Sequence, residues 1–185
     1  PEVPLDRIES ALEDMKVRYE RNGISLRPVH QQRTLMGVRS GNRALVEAWR
    51  DRWLRSPRDA YADCKACDKA SEVDVHFFMG EEEQGLAAAL EIINGSARCA
   101  SVPHGTFSRV LLPLLERGKT EEAAEFHRRG YAMIRGIPRF VDTCGRHLIF
   151  LTLIKDHVGA VRLFDRHVGL ALDSTSPIDR LRFYL

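Results

Sequence analysis

Gly118-Lys119-Thr120-Glu121-Glu122 reads as the end of one helix and the start of the next. Glycine takes the left-handed backbone that closes a helix, Thr120 can cap the following N-terminus, and the two glutamates suit the positive end of its dipole. The same punctuation stands at Gly41, at Gly80 ahead of Glu81-Glu82-Glu83, and at Asp156, which can itself cap the apolar helix behind it. The markers at 41, 80, 118 and 156 are 39, 38 and 38 residues apart. A fixed period of this size is the signature of helical hairpins stacked on one another. The fold class it predicts is all-α: a right-handed α-solenoid of antiparallel hairpins, repeating every ~38 residues.

Proline supplies a second set of marks. Pro57, Pro103, Pro138 and Pro177 each precede an apolar periodic run, and proline in a first turn loses no intrahelical hydrogen bond. Ser56 and Ser176 stand directly before two of them as caps. Together the marks predict a leading amphipathic helix over 4–21, built on Leu5, Ile8, Leu12, Met15 and Tyr19. Four hairpins follow, pairing 28–39 with 42–55, 57–79 with 82–94, 103–117 with 120–135, and 138–155 with 157–172. Residues 177–185 begin a further or capping helix, and all of 1–185 forms one domain. In the second helices Gly85, Ala123 and Val161 stand five residues after their markers, where slim residues let helices approach. Trp49, Phe126 and Phe164 then fill the gap to the next hairpin. The longest irregular piece is 95–102.

This glycine–alanine–aromatic–proline pattern resembles the tetratricopeptide repeat, a helical hairpin of about 34 residues. The likeness covers residues 24–185, with a longer spacing and without the Trp and Leu-Gly positions of the family's first helix. More narrowly, Cys64-x-x-Cys67, Cys99, Val102-Pro103-His104 and Leu111-Leu112-Pro113-Leu114-Leu115 are similar to repeat proteins found in bacteria. The resemblance implies a scaffold that holds a protein or peptide segment, from another protein or from another part of the same full-length protein, in a concave groove.

Composition agrees with that class. The chain has 185 residues, 44% of them apolar and 29% charged, enough for one extended helical domain. A net charge of +2 is too balanced to point to nucleic acid or a membrane surface. No apolar run approaches the roughly 20 residues of a spanning helix. No signal peptide is visible; the start at Pro1 and the end at Tyr184-Leu185, inside a periodic run, suggest an excerpt of a longer protein. Four cysteines are too few and too uneven for a disulfide framework, so reduced thiols and a cytoplasmic location are expected.

Chemistry concentrates at Cys64, Cys67, Cys99 and His104, spaced Cys-x2-Cys-x31-Cys-x4-His. Cys64 and Cys67 share a helix face. In a stacked hairpin array Cys99 returns near them, and Cys67 plus one period falls beside His104. Three thiolates and an imidazole would close a tetrahedral structural zinc site, with Asp63 or Asp68 as substitutes for the histidine. The competing reading makes the cysteines small apolar core residues. A redox role for the Cys-x-x-Cys pair lacks the strand that usually precedes it, and Cys144 reads as core.

First helices line the inner groove of such an array. Arg33, Ser108, Arg109, Arg146 and His147 fall at equivalent levels, since 109 plus 38 is 147, and guanidinium groups there would take an acidic peptide or a C-terminal carboxylate. His127, His157 and His167 fall in second helices and are expected to be solvated or half-buried. No nucleophile and base can be paired, so the expected function is not enzymatic. The second expectation is a regulatory sensor that answers a peptide or a redox signal. The terminal hairpins would suit a homodimer.

Overall fold

The computed structural model describes residues 3–95 and 97–184. Among these residues there are ten α-helices, one short 3-10 turn and no strand, so the all-α class stands. None of the helices is long and apolar enough to cross a membrane. The chain divides into two compact units at Glu81/Glu82.

The first unit carries α1 (Leu5–Arg21), α2 (Arg27–Ser40), α3 (Arg43–Arg55) and α4 (Lys65–Met79). Helix α2 packs most extensively on α3 and also meets α4. A glycine permits the first of these approaches: a Cβ on Gly37 would sit 2.7 Å from Val46 Cγ2. Leu35, Val46, Trp53 and Val75 form the core. Helix α1 buries only Leu12.

Pro57 does not open a helix. Ser56, expected as its cap, instead donates its hydroxyl back to Arg52 O at 2.6 Å and closes α3. The Asp59 carboxylate then accepts from the backbone of Ser25 at 2.7 Å and of Tyr61 at 2.9 Å, holding the chain irregular through this stretch. Helix α4 begins at Lys65, with Cys64 as its N-cap.

The second unit carries α5 (Glu82–Ile93), α6 (His104–Glu116), α7 (Thr120–Ile134), a 3-10 turn at Pro138–Phe140, α8 (Val141–Leu153), α9 (His157–Asp173) and α10 (Pro177–Tyr184). Helix α6 pairs with α7, and α8 meets α9 and α10. Leu111, Leu114, Ile134, Phe150, Leu163 and Phe183 fill the interior. Helix α10 crosses α8 at backbone contact, since a Cβ on Gly145 would lie 2.1 Å from Arg182 O. Two pieces of the expected layout, Ser96 in the 95–102 loop and Leu185 at the end of the last helix, lie outside the described residues.

One helix-ending turn recurs five times among the described residues, first at Gly23 (φ 65°), where Ile24 N reaches Tyr19 O at 2.9 Å and closes α1, and then four times near the expected period. Gly41, Gly80 and Gly118 have φ of 70°, 77° and 71°, and the amide after each reaches back to the carbonyl five residues before it at 2.8–2.9 Å. At the last of these places the left-handed residue is Lys155 (φ 63°), with Asp156 N on Leu151 O at 3.0 Å. Asp156 is the next helix's cap, accepting from Gly159 N at 2.9 Å. The expected marker was therefore one residue late, and the true positions are 41, 80, 118 and 155.

The shift repairs the pattern. Five residues on stand Val46, Gly85, Ala123 and Ala160, all buried. Val161, expected there, is 58% exposed, because one step rotates a helix by about 100°. Twelve residues on stand Trp53, Ile92, Gly130 and His167, also buried, so Trp53 rather than the half-buried Trp49 is the core tryptophan. Thr120 is the first residue of its helix and not the cap, which falls on Lys119 without a side-chain bond.

A left-handed lysine costs roughly 1–2 kcal/mol that glycine does not. Lys155→Gly is expected to raise stability by about 1 kcal/mol, read as a higher denaturant midpoint at unchanged slope. A fall in the midpoint would mean that the lysine side chain contributes more than its backbone costs.

Candidate functional site

None of Cys64, Cys67 and Cys99 forms a disulfide; Cys64 and Cys67 stand at the start of α4 in the first unit, and Cys99 precedes α6 in the second. Local backbone engages two of the sulfurs. Cys64 caps α4 and its Sγ accepts from Cys67 N at 3.3 Å. Cys99 N donates to Val102 O at 2.9 Å, closing a turn in which Ser101 N donates to Cys99 Sγ at 3.4 Å. The positive end of the α4 dipole lies beside Cys64 and Cys67, which suits anionic ligands.

The expected fourth ligand does not join them. His104 stacks on Phe140, with ring centres 5.2 Å apart and planes 13° from parallel, and its Nδ1 is buried without a hydrogen-bond partner. The first turn of α6 thus aims the imidazole at the 3-10 turn. Asp68 is buried in an ion network, and Asp63 accepts from Gln31 Nε2 at 3.1 Å. Cys144 is core as expected, and burial pushes its thiol up to about 12.

The five groove residues are placed unequally. Arg33 donates to Glu13 Oε2 at 2.8 Å and lies 4.3 Å over the Trp49 ring. Ser108 is buried and returns its hydroxyl to Gly105 O at 2.9 Å; His147 is fully buried. Arg109 is half-buried on α6 and Arg146 is exposed on α8, two helices that pack on one another. Of the five, Arg146 alone is exposed.

The second-helix histidines were expected to be solvated or half-buried; His157 is exposed and His127 half-buried, but His167 is not. His167 is fully buried: its Nε2 accepts from Gly136 N at 3.1 Å, which leaves Nδ1–H to donate to Leu163 O at 2.9 Å. His127 is half-buried and its Nδ1 lies 3.0 Å from Nδ1 of His147, whose Nε2 is buried without a partner. Burial holds His127 down to about 4 and His147 to about 3, against an ordinary 6.5.

That pair has a consequence for acid stability. Both folded values are depressed, so the unfolded chain binds more protons at every pH between them and 6.5. Stability is full above pH 6.5 and drains as pH falls toward 4. At about 1.4 kcal/mol per pH unit for each ring, discounted because His127 is partly solvated, the loss by pH 4.5 is on the order of 4 kcal/mol. Thermal melts from pH 7.5 to 4.5 should fall steeply in the parent and less steeply in His147→Leu; parallel curves would contradict the assignment.

Sequence reasoning missed a second constellation. Arg27, six per cent exposed, donates to Asp68 Oδ2 through Nη2 at 2.6 Å and Nε at 3.2 Å. Arg58 pairs with the same oxygen, and Trp53 Nε1 donates to Asp68 Oδ1 at 3.2 Å. Neither a family model, nor a curated protein, nor a solved structure matches the chain.

Proposed function

We propose that this chain is a helical-repeat scaffold, built as a right-handed array of antiparallel hairpins, that binds a protein or peptide segment, with a structural zinc on Cys64, Cys67 and Cys99. The observation that carries the repeat reading is the turn at 41, 80, 118 and 155, each followed five and twelve residues later by buried positions. A helical array of this kind recognises partners through side chains on its first helices. Arg109 on α6 and Arg146 on α8 are the pair best placed to meet an acidic segment. The Cys-x2-Cys pair at the start of α4, and a third thiol outside any disulfide at Cys99, support the zinc.

Selection of a random peptide library on the immobilised zinc-loaded protein tests the scaffold. Retained peptides should be rich in Asp and Glu, and Arg109→Gln with Arg146→Gln should weaken them at least tenfold at constant ionic strength. Failure to enrich any peptide, or enrichment indifferent to both arginines, would overturn it.

A second reading is favoured by the exposure of Cys64. A peroxide could oxidise two of the thiolates to a disulfide, itself reduced to water, and release the zinc, which would make the site a redox sensor. Zinc release by stoichiometric peroxide with the helical signal intact would support this; release only on unfolding would leave the zinc purely structural.

A further inference from the structure

Between α7 and α9, wholly within the second unit, lies a cleft of about 230 Å³. Its walls carry Arg135, Arg162 and Arg166, with Tyr131, His127 and Asp156 beside them. Arg162 and Arg166 stand one helical turn apart on α9, hence on one face. Arg135 is the C-cap of α7. Among the described residues none of the three guanidinium groups has a carboxylate partner or a hydrogen bond from its side chain. Some exposed arginines do find one, as Arg18 does with Asp14 and Arg129 with Glu125, and what sets these three apart is that they line one cleft.

The one acid of the cleft is already engaged, since Asp156 Oδ1 caps α9 through Gly159 N. Three guanidiniums and one carboxylate leave a local charge of +2, and their mutual repulsion is relieved by an anion. At this size the cleft falls below the roughly 300–1,000 Å³ of pockets for drug-sized ligands. Guanidinium forks match phosphate oxygens bidentately, and a phosphomonoester carries about −1.5 to −2 at pH 7. From this geometry we infer that the α7–α9 cleft is a binding site for a small phosphate-bearing anion, held by Arg135, Arg162 and Arg166 with the Tyr131 hydroxyl as a neutral donor. His127 contributes no charge at pH 7, because burial keeps it neutral. The site is separate from the cysteine trio and stands whether or not zinc binds there.

The test is a titration of the zinc-loaded protein with inorganic phosphate, and then glycerol phosphate, following arginine Nε–H resonances at ionic strength fixed with chloride. Saturable shifts at Arg135, Arg162 and Arg166, with a millimolar or tighter midpoint, are expected; glycerol phosphate binding tighter than phosphate would identify a phosphomonoester as the natural ligand class, and equal binding would leave free phosphate as that ligand. Arg162→Gln with Arg166→Gln alters only exposed side chains and should weaken the midpoint at least tenfold while leaving the chloride-only melting curve in place. Non-saturating shifts spread over all arginines, or an unchanged midpoint in the double variant, would overturn the inference.

Discussion

Asp68→Ala is expected to cost the first unit about 3–5 kcal/mol, the range for removing one partner of a buried ion pair. Both partners are nearly inaccessible, at 3% for Asp68 and 6% for Arg27. Without the carboxylate, Arg27 keeps only carbonyl acceptors, Trp53 O and Ser56 O at 2.9 Å, and a buried positive charge. Trp53 Nε1 loses its acceptor in the core as well. Asp68→Asn keeps an acceptor for the indole but not the charge, so it should fall between the parent and Asp68→Ala. Arg27→Met combined with Asp68→Leu removes both charges and should cost far less than Asp68→Ala alone. Equilibrium unfolding in denaturant measures all three. A loss below about 1 kcal/mol for Asp68→Ala would mean that water reaches the guanidinium and that the network is not a buried one.

The second large effect is the loss of zinc. A structural zinc couples its binding free energy to folding, on the order of 10 kcal/mol in small zinc modules. Here the ligands come only from the start of α4 and the loop before α6, and most buried apolar side chains lie elsewhere, so only part of that is expected to appear in stability, several kcal/mol. The signature is specific: treatment with a strong chelator should lower the melting temperature of the parent by many degrees and leave Cys99→Ser, already zinc-free, where it was. Cys144→Ser should retain the metal and the chelator response, since that thiol sits in the core. A parent indifferent to chelator, at one zinc per chain, would relegate the ion to an incidental surface ligand.

Most of the helical layout could be read from residue order, for physical reasons that are local. Glycine in the left-handed region has few substitutes, so Gly41, Gly80 and Gly118 announced their helix ends directly. Lys155 adopts the same conformation at a cost that no composition rule anticipates, and the marker was assigned to Asp156, whose capping role is equally local. That single-residue slip exposed Val161 and hid the equivalence of Ala160 with Ala123. Pro57 misled because proline before a helix and proline before an irregular segment look alike in sequence. What separated them was the hydroxyl of Ser56 turning back to α3 and Asp59 reaching to Ser25, a contact 34 residues away in the chain.

The site was legible to the extent that it depended on period and residue type. Cys64 and Cys67 share the start of α4 as their spacing suggested, yet His104, the first residue of α6, stacks on Phe140, and spacing does not fix where a ring points. Burial was harder still. His147 and His167 belong to the interior because small neighbours make room: a Cβ on Gly130 would lie 3.4 Å from the His147 ring. Asp68 was weighed as a metal ligand when its two arginine partners, Arg27 and Arg58, lie 41 and 10 residues away. Arg162-x3-Arg166 was visible as an i, i+4 pair, but only the structure joins it to Arg135 in one cleft.

Zinc-edge X-ray absorption on protein purified without chelator is the most direct measurement. The trio of Cys64, Cys67 and Cys99 predicts one zinc per chain with three sulfurs at about 2.3 Å and one nitrogen or oxygen at about 2.0–2.1 Å. A zinc shell of nitrogen and oxygen alone, or metal-free protein with all four thiols reduced, would contradict it.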